Sequence, residues 1–93
     1  MNTTLRILIL EDVQDDVVLI EYALRRDGIQ FEMMQVDSQE MFIRGLREFK
    51  PDVVLSDHSL PQFNSMEALK ICRAEGLNVP FILVTGTMSE EFA

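Results

Sequence analysis

Leu5-Arg6-Ile7-Leu8-Ile9-Leu10 runs directly into Glu11-Asp12. The run is branched and almost wholly apolar, and it ends abruptly at two acids. Near-continuous apolar composition of this kind, rather than alternation, is what a strand covered on both faces presents. Two later stretches repeat it. Val53-Val54-Leu55 follows Pro51 and stops at Ser56-Asp57, and Phe81-Ile82-Leu83-Val84 follows Pro80 and stops at Thr85-Gly86. A weaker, partly alternating stretch over residues 29–36, Ile29 to Val36, suits the edge of a sheet.

Between these runs the spacing is helical. Val13, Val17, Ile20 and Leu24 recur at i, i+4, i+7 and i+11, and Asp27-Gly28 closes that segment. Ser38 is a candidate N-cap for a second helix with Phe42, Leu46 and Phe49 on its apolar stripe. Asn64 or Ser65 caps a third, which carries Met66, Leu69 and Cys72 and ends at Gly76; a further helix begins near Ser89-Glu90-Glu91. Alternation of strands and helices implies one α/β domain over residues 1–93, with a doubly wound parallel sheet and right-handed crossovers.

Composition narrows the function classes. Sixteen acidic residues against eight basic ones give a formal net charge of −8. That balance disfavours direct nucleic-acid binding, which needs cations to displace counterions along the phosphates. The single cysteine, Cys72, excludes an internal disulfide framework and reads as a small buried apolar residue. The first residues lack the charged and apolar regions of a signal peptide, and no stretch approaches the ~20 apolar residues of a membrane span. A cytoplasmic location is the expectation.

In an open parallel sheet, sites form beyond the carboxyl ends of the strands. The first strand delivers Glu11 and Asp12 there, the third Asp57 and the fourth Thr85. Three carboxylates gathered in one cleft repel, by roughly 4 kcal/mol per pair at ~4 Å and an effective dielectric of 20. A divalent cation reverses that cost, and an all-oxygen site with room for water suits magnesium. Asp57 is the candidate nucleophile, since a carboxylate attacks phosphorus to form an acyl phosphate. Thr85 supplies a hydroxyl for a phosphoryl oxygen.

Leu10-Glu11-Asp12, Leu55-Ser56-Asp57 with Leu60-Pro61 beyond it, and Val84-Thr85-Gly86 together resemble the signature of response-regulator receiver domains. The resemblance covers the whole chain and implies a flavodoxin-like sheet of order 2-1-3-4. It implies that Asp57 accepts a phosphoryl group from a phosphohistidine on a sensor histidine kinase or phosphotransfer protein. Magnesium would be held by Asp12, Asp57 and the backbone carbonyl of Ser59, with Glu11 acting mainly through water. Thr85 would be the switch residue. The chemistry so implied would be self-phosphorylation of Asp57, not enzymatic turnover.

The family also carries a fifth strand with an aromatic switch residue, a phosphoryl-pairing lysine after it, and a last helix. The sequence stops at Ala93 before these, and neither Lys50 nor Lys70 stands where that lysine belongs. The reading is thus a receiver incomplete at its C-terminus, whose Phe81–Val84 strand would form an exposed edge open to self-association. Ser65 takes the place of a frequent turn glycine, and His58, Ser59 and Thr87 flank the acceptor. A dehalogenase-type phosphatase would need a second aspartate where Ser59 stands, and a flavodoxin-type phosphate cradle would be repelled by Glu11-Asp12. The alternative is a receiver-like interaction module that is not phosphorylated.

Overall fold

The computed structural model describes residues 4–57 and 65–84, with Asp57 described in its backbone alone. Within them the elements run β1 (Leu5–Leu10), α1 (Gln14–Arg26), β2 (Phe31–Val36), α2 (Gln39–Glu48), β3 (Val53–Asp57), α3 (Ser65–Ala74) and β4 (Phe81–Val84). The four strands form one sheet of order β2-β1-β3-β4, and every pairing is parallel. This is the order that the resemblance to receiver domains implies. The start of a fourth helix near Ser89 and the Asn64 cap lie outside the described residues.

Handedness distributes the helices. The chain moves one way from β1 to β2 and the opposite way from β2 to β3 and β3 to β4. Right-handed crossovers therefore set α1 on one face and α2 with α3 on the other. The alternation of side chains along a strand divides the core accordingly. Leu8, Leu10, Val36 and Val54 are buried in one cluster with Phe42 and Leu46 of α2 and Ala68 and Cys72 of α3. Ile7 and Ile9, pointing the other way, are also buried, as is Val17 of α1.

Local chemistry sets the helix ends. Ser38 caps α2, its hydroxyl accepting from the Met41 N–H at 3.3 Å. Gly28 and Gly76, after α1 and α3, take positive φ of 78° and 76°. In each case the next N–H returns to a carbonyl of the last turn, Ile29 to Leu24 and Leu77 to Cys72. At the amino edge of the sheet Arg6 joins three elements. Its Nε donates to the Phe49 carbonyl at 2.8 Å, its guanidinium lies 4.5 Å from the Phe49 ring centre, and its N–H donates to the Asp52 carboxylate at 2.9 Å.

Three expectations need correction. β2 begins at Phe31 rather than Ile29, because Gly28 and the turn it makes carry the chain through Ile29 and Gln30 before pairing starts. β3 does not stop at Leu55 but continues through Ser56 and Asp57, which pair with Leu83 and Val84 of β4. Met66 is not part of the buried stripe of α3: it is 59% exposed, and the buried positions are Ser65, Ala68 and Cys72. Alanine at the contact lets the helix lie close to the sheet, and the larger methionine is turned outward.

Candidate functional site

β1 and β3 are neighbours, yet the chain leaves them in opposite directions, β1 toward β2 and β3 toward β4. A crevice opens at such a reversal, beyond the carboxyl ends of the two strands. The residues there follow from the register. Leu10 pairs with Ser56 as the last matched position of β1 and β3, so Glu11 and Asp57 are each the next residue on adjacent parallel strands. Asp57 is itself matched with Val84, the last residue of β4. Thr85 follows Val84 in sequence and lies outside the described residues, as do Ser59, His58 and Thr87.

Glu11 and Asp12 occupy unlike environments. Glu11 is 3% exposed, whereas Asp12 is exposed. The Glu11 N–H donates to the Val36 carbonyl at 3.0 Å, continuing the β1–β2 pairing one residue past the strand. Its carboxylate oxygen Oε2 accepts from the Val13 N–H at 3.1 Å. That bond folds the chain back to enter α1, whose N-cap, Val13, has no capping side chain of its own. Asp12, at the outer point of this short loop, makes no ion pair or hydrogen bond among the described residues.

The expected donor set is hard oxygen, with two adjacent carboxylates after β1 and Asp57 as the last residue of β3. Oxygen-only sets with carboxylate charge fit magnesium and disfavour softer metals. Among the described residues no group of three or more metal-ligating side chains is assembled; those belonging to the expected set are Glu11 and Asp12.

One contact had no signal in the sequence. Gln35 of β2 donates its Nε2 to the main-chain carbonyl of Glu11 at 3.0 Å. A glutamine on an edge strand ordinarily reads as a solvated position, and neither spacing nor composition distinguishes this one. Ser56, next to Asp57, is fully buried, and its Oγ has no hydrogen-bond partner among the described residues.

Comparison with known proteins agrees with this architecture. Residues 7–93 match the family model of the response regulator receiver domain. The chain is 29% identical over 87 residues to the alkaline phosphatase synthesis transcriptional regulatory protein PhoP of Bacillus subtilis, covering 94% of this chain and 35% of that protein. It is 29% identical over 80 residues to the DNA-binding response regulator MtrA of Mycobacterium tuberculosis, covering 86% and 34%. The chain thus spans about a third of the length of these relatives.

Among solved structures, the receiver domain of the sensor histidine kinase PA1611 from Pseudomonas aeruginosa superposes with a TM-score of 0.73 at 26% identity, over 94% of this chain and 75% of that one. That structure holds a magnesium ion coordinated in its active site cleft. A signal receiver domain from Bermanella marisrubri superposes with a TM-score of 0.72 at 23% identity, over 97% and 75%, and bears on the fold. No helix among the described residues is long and apolar enough to cross a membrane. Matched by the family model from β1 through the last residue, and folded with the same parallel sheet as solved receivers, the chain belongs to the response regulator receiver domain family.

Proposed function

We propose that this receiver is phosphorylated on Asp57 within a two-component system. The observation that carries the reading is the register of β1 and β3, in which Leu10 faces Ser56, so that Glu11 and Asp57 are the next residues on adjacent strands. In the reaction, a carboxylate oxygen of Asp57 attacks the phosphorus of a phosphohistidine on a sensor kinase or phosphotransfer protein. The new O–P bond forms as the P–N bond breaks, and the electron pair returns to the imidazole nitrogen, which takes up a proton. The product is an acyl phosphate on Asp57.

Glu11, Asp12, Asp57 and the Ser59 backbone carbonyl would hold magnesium, which when bound neutralises charge on the transferring phosphoryl group. Its presence in the PA1611 receiver supports the same ion here. Asp12 is exposed and without another partner among the described residues, as suits an ion with several waters of its own. Glu11, buried and tied to Val13, shapes the loop and acts through water. Thr85, one residue past β4, would donate its hydroxyl to the phosphoryl group and move its loop with it. That movement would be the switch, a two-position equilibrium biased by the new charge. The domain in this role undergoes one covalent event per cycle and does not turn over a substrate.

Beryllofluoride with magnesium tests the reading, since it mimics an aspartyl phosphate without covalent transfer. Amide resonances of residues flanking Asp57, and of Glu11 to Val13, are expected to shift together, and Asp57→Asn abolishes the response. An unchanged spectrum in the unsubstituted protein would leave a receiver fold that binds partners without phosphorylation.

A further inference from the structure

Gln35 is half-buried on β2, level with Ile9 of β1. Its side chain reaches beyond that level, and Nε2 donates to the Glu11 carbonyl at 3.0 Å. A carbonyl oxygen only accepts, so this contact requires the NH2 end of the amide to face it. The ladders of β1 with both neighbours end at Leu10, paired with Val36 and Ser56. Beyond that point the bonds that hold the loop include Glu11 N–H to Val36, Val13 N–H to the Glu11 carboxylate, and the Gln35 amide to the Glu11 carbonyl.

We infer that Gln35 is a positioning residue for the metal site, acting through the Glu11–Asp12 peptide. This rests on the magnesium reading above. The Glu11 carbonyl belongs to the rigid peptide plane that joins Glu11 to Asp12. Holding its oxygen sets the tilt of that plane and hence the direction in which Asp12 leaves the backbone. The Asp12 side chain makes no hydrogen bond or ion pair among the described residues, so its direction follows from the backbone that carries it. Without the amide, the plane is free to tilt by compensating rotations on either side of it. A neutral donor suits the place. An ionised carboxylate at position 35 has no proton to offer the carbonyl and would add a like charge beside two acids. Partners that orient metal ligands from behind typically change affinity ~10–100-fold when removed.

The experiment is a titration of the protein with magnesium ion alone, followed by nitrogen-15 NMR and calorimetry. In the unsubstituted protein the side-chain NH2 resonances of Gln35 are expected to shift as the ion saturates. Gln35→Met, which keeps the length and removes the donor, is expected to bind magnesium about tenfold more weakly. Arg6→Ala is the control for lost stability: it breaks contacts at the opposite edge of the sheet and leaves the affinity unchanged. Equal affinity in Gln35→Met overturns the inference. Gln35 amide signals that ignore a bound ion overturn it too, a readout that does not depend on any variant folding. If the unsubstituted protein does not bind magnesium, the metal reading itself fails and takes this inference with it.

Discussion

Leu10 of β1 and Ser56 of β3 face each other as the last matched pair of the two central strands, and both are fully buried. The pair fixes the acid-bearing ends of both strands, yet it leaves the Ser56 hydroxyl in the core without a hydrogen-bond partner among the described residues. An unsatisfied buried polar group costs about 1–3 kcal/mol. Ser56→Ala removes that cost and leaves a space of a single atom. Urea unfolding is expected to show stability unchanged or raised by ~1 kcal/mol. A clear loss would mean that the hydroxyl is satisfied in solution.

The approach of α2 to β1 depends on Gly45. A Cβ there would meet Leu8 Cδ1 at 2.8 Å and Cδ2 at 3.4 Å. Alanine in a helix interior gains ~1 kcal/mol over glycine, but overpacking a filled core costs ~1–3 kcal/mol. Leu8 is fully buried and has little room to yield. Packing therefore wins, and Gly45→Ala should lower stability by roughly 1 kcal/mol. A rise in the urea midpoint would show that Leu8 relaxes freely.

Burial pushes the Cys72 thiol up to about 11, and the residue is 3% exposed. The folded chain therefore keeps a proton that an unfolded thiol, titrating near ~8.5, has lost. The resulting stability is fully present below the unfolded value and disappears as pH rises through the folded one. The loss, on the order of 3 kcal/mol, should fall between about pH 8.5 and 11 and be missing from Cys72→Ala. Superimposable pH–stability profiles of the two proteins would contradict it.

What could be read from the residues depended on how each was expressed in composition. The central strands were legible because continuous aliphatic runs have few other uses, and the acids after Leu10 and at Asp57 fell at their ends. The true end of β3 was not legible. Ser56 and Asp57 look like loop residues, but the main-chain ladder with Leu83 and Val84 continues past the apolar side chains. The buried phase of α3 was hidden for a related reason. Met66 is more hydrophobic than Ala68, but helix-to-sheet distance favoured the smaller residue. The unequal environments of Glu11 and Asp12, and the hold of Gln35 on the loop between them, arise from tertiary hydrogen bonds that leave no periodic trace.

The central claim is that the carboxylate at the end of β3 accepts phosphate beside the acids at the end of β1. Intact-mass measurement after incubation with acetyl phosphate and magnesium tests it most directly. The account predicts a gain of a single phosphoryl group, labile to alkali as an acyl phosphate is, absent without magnesium and absent in Asp57→Asn. A gain that survives Asp57→Asn, or none at all in the unsubstituted protein, would contradict it.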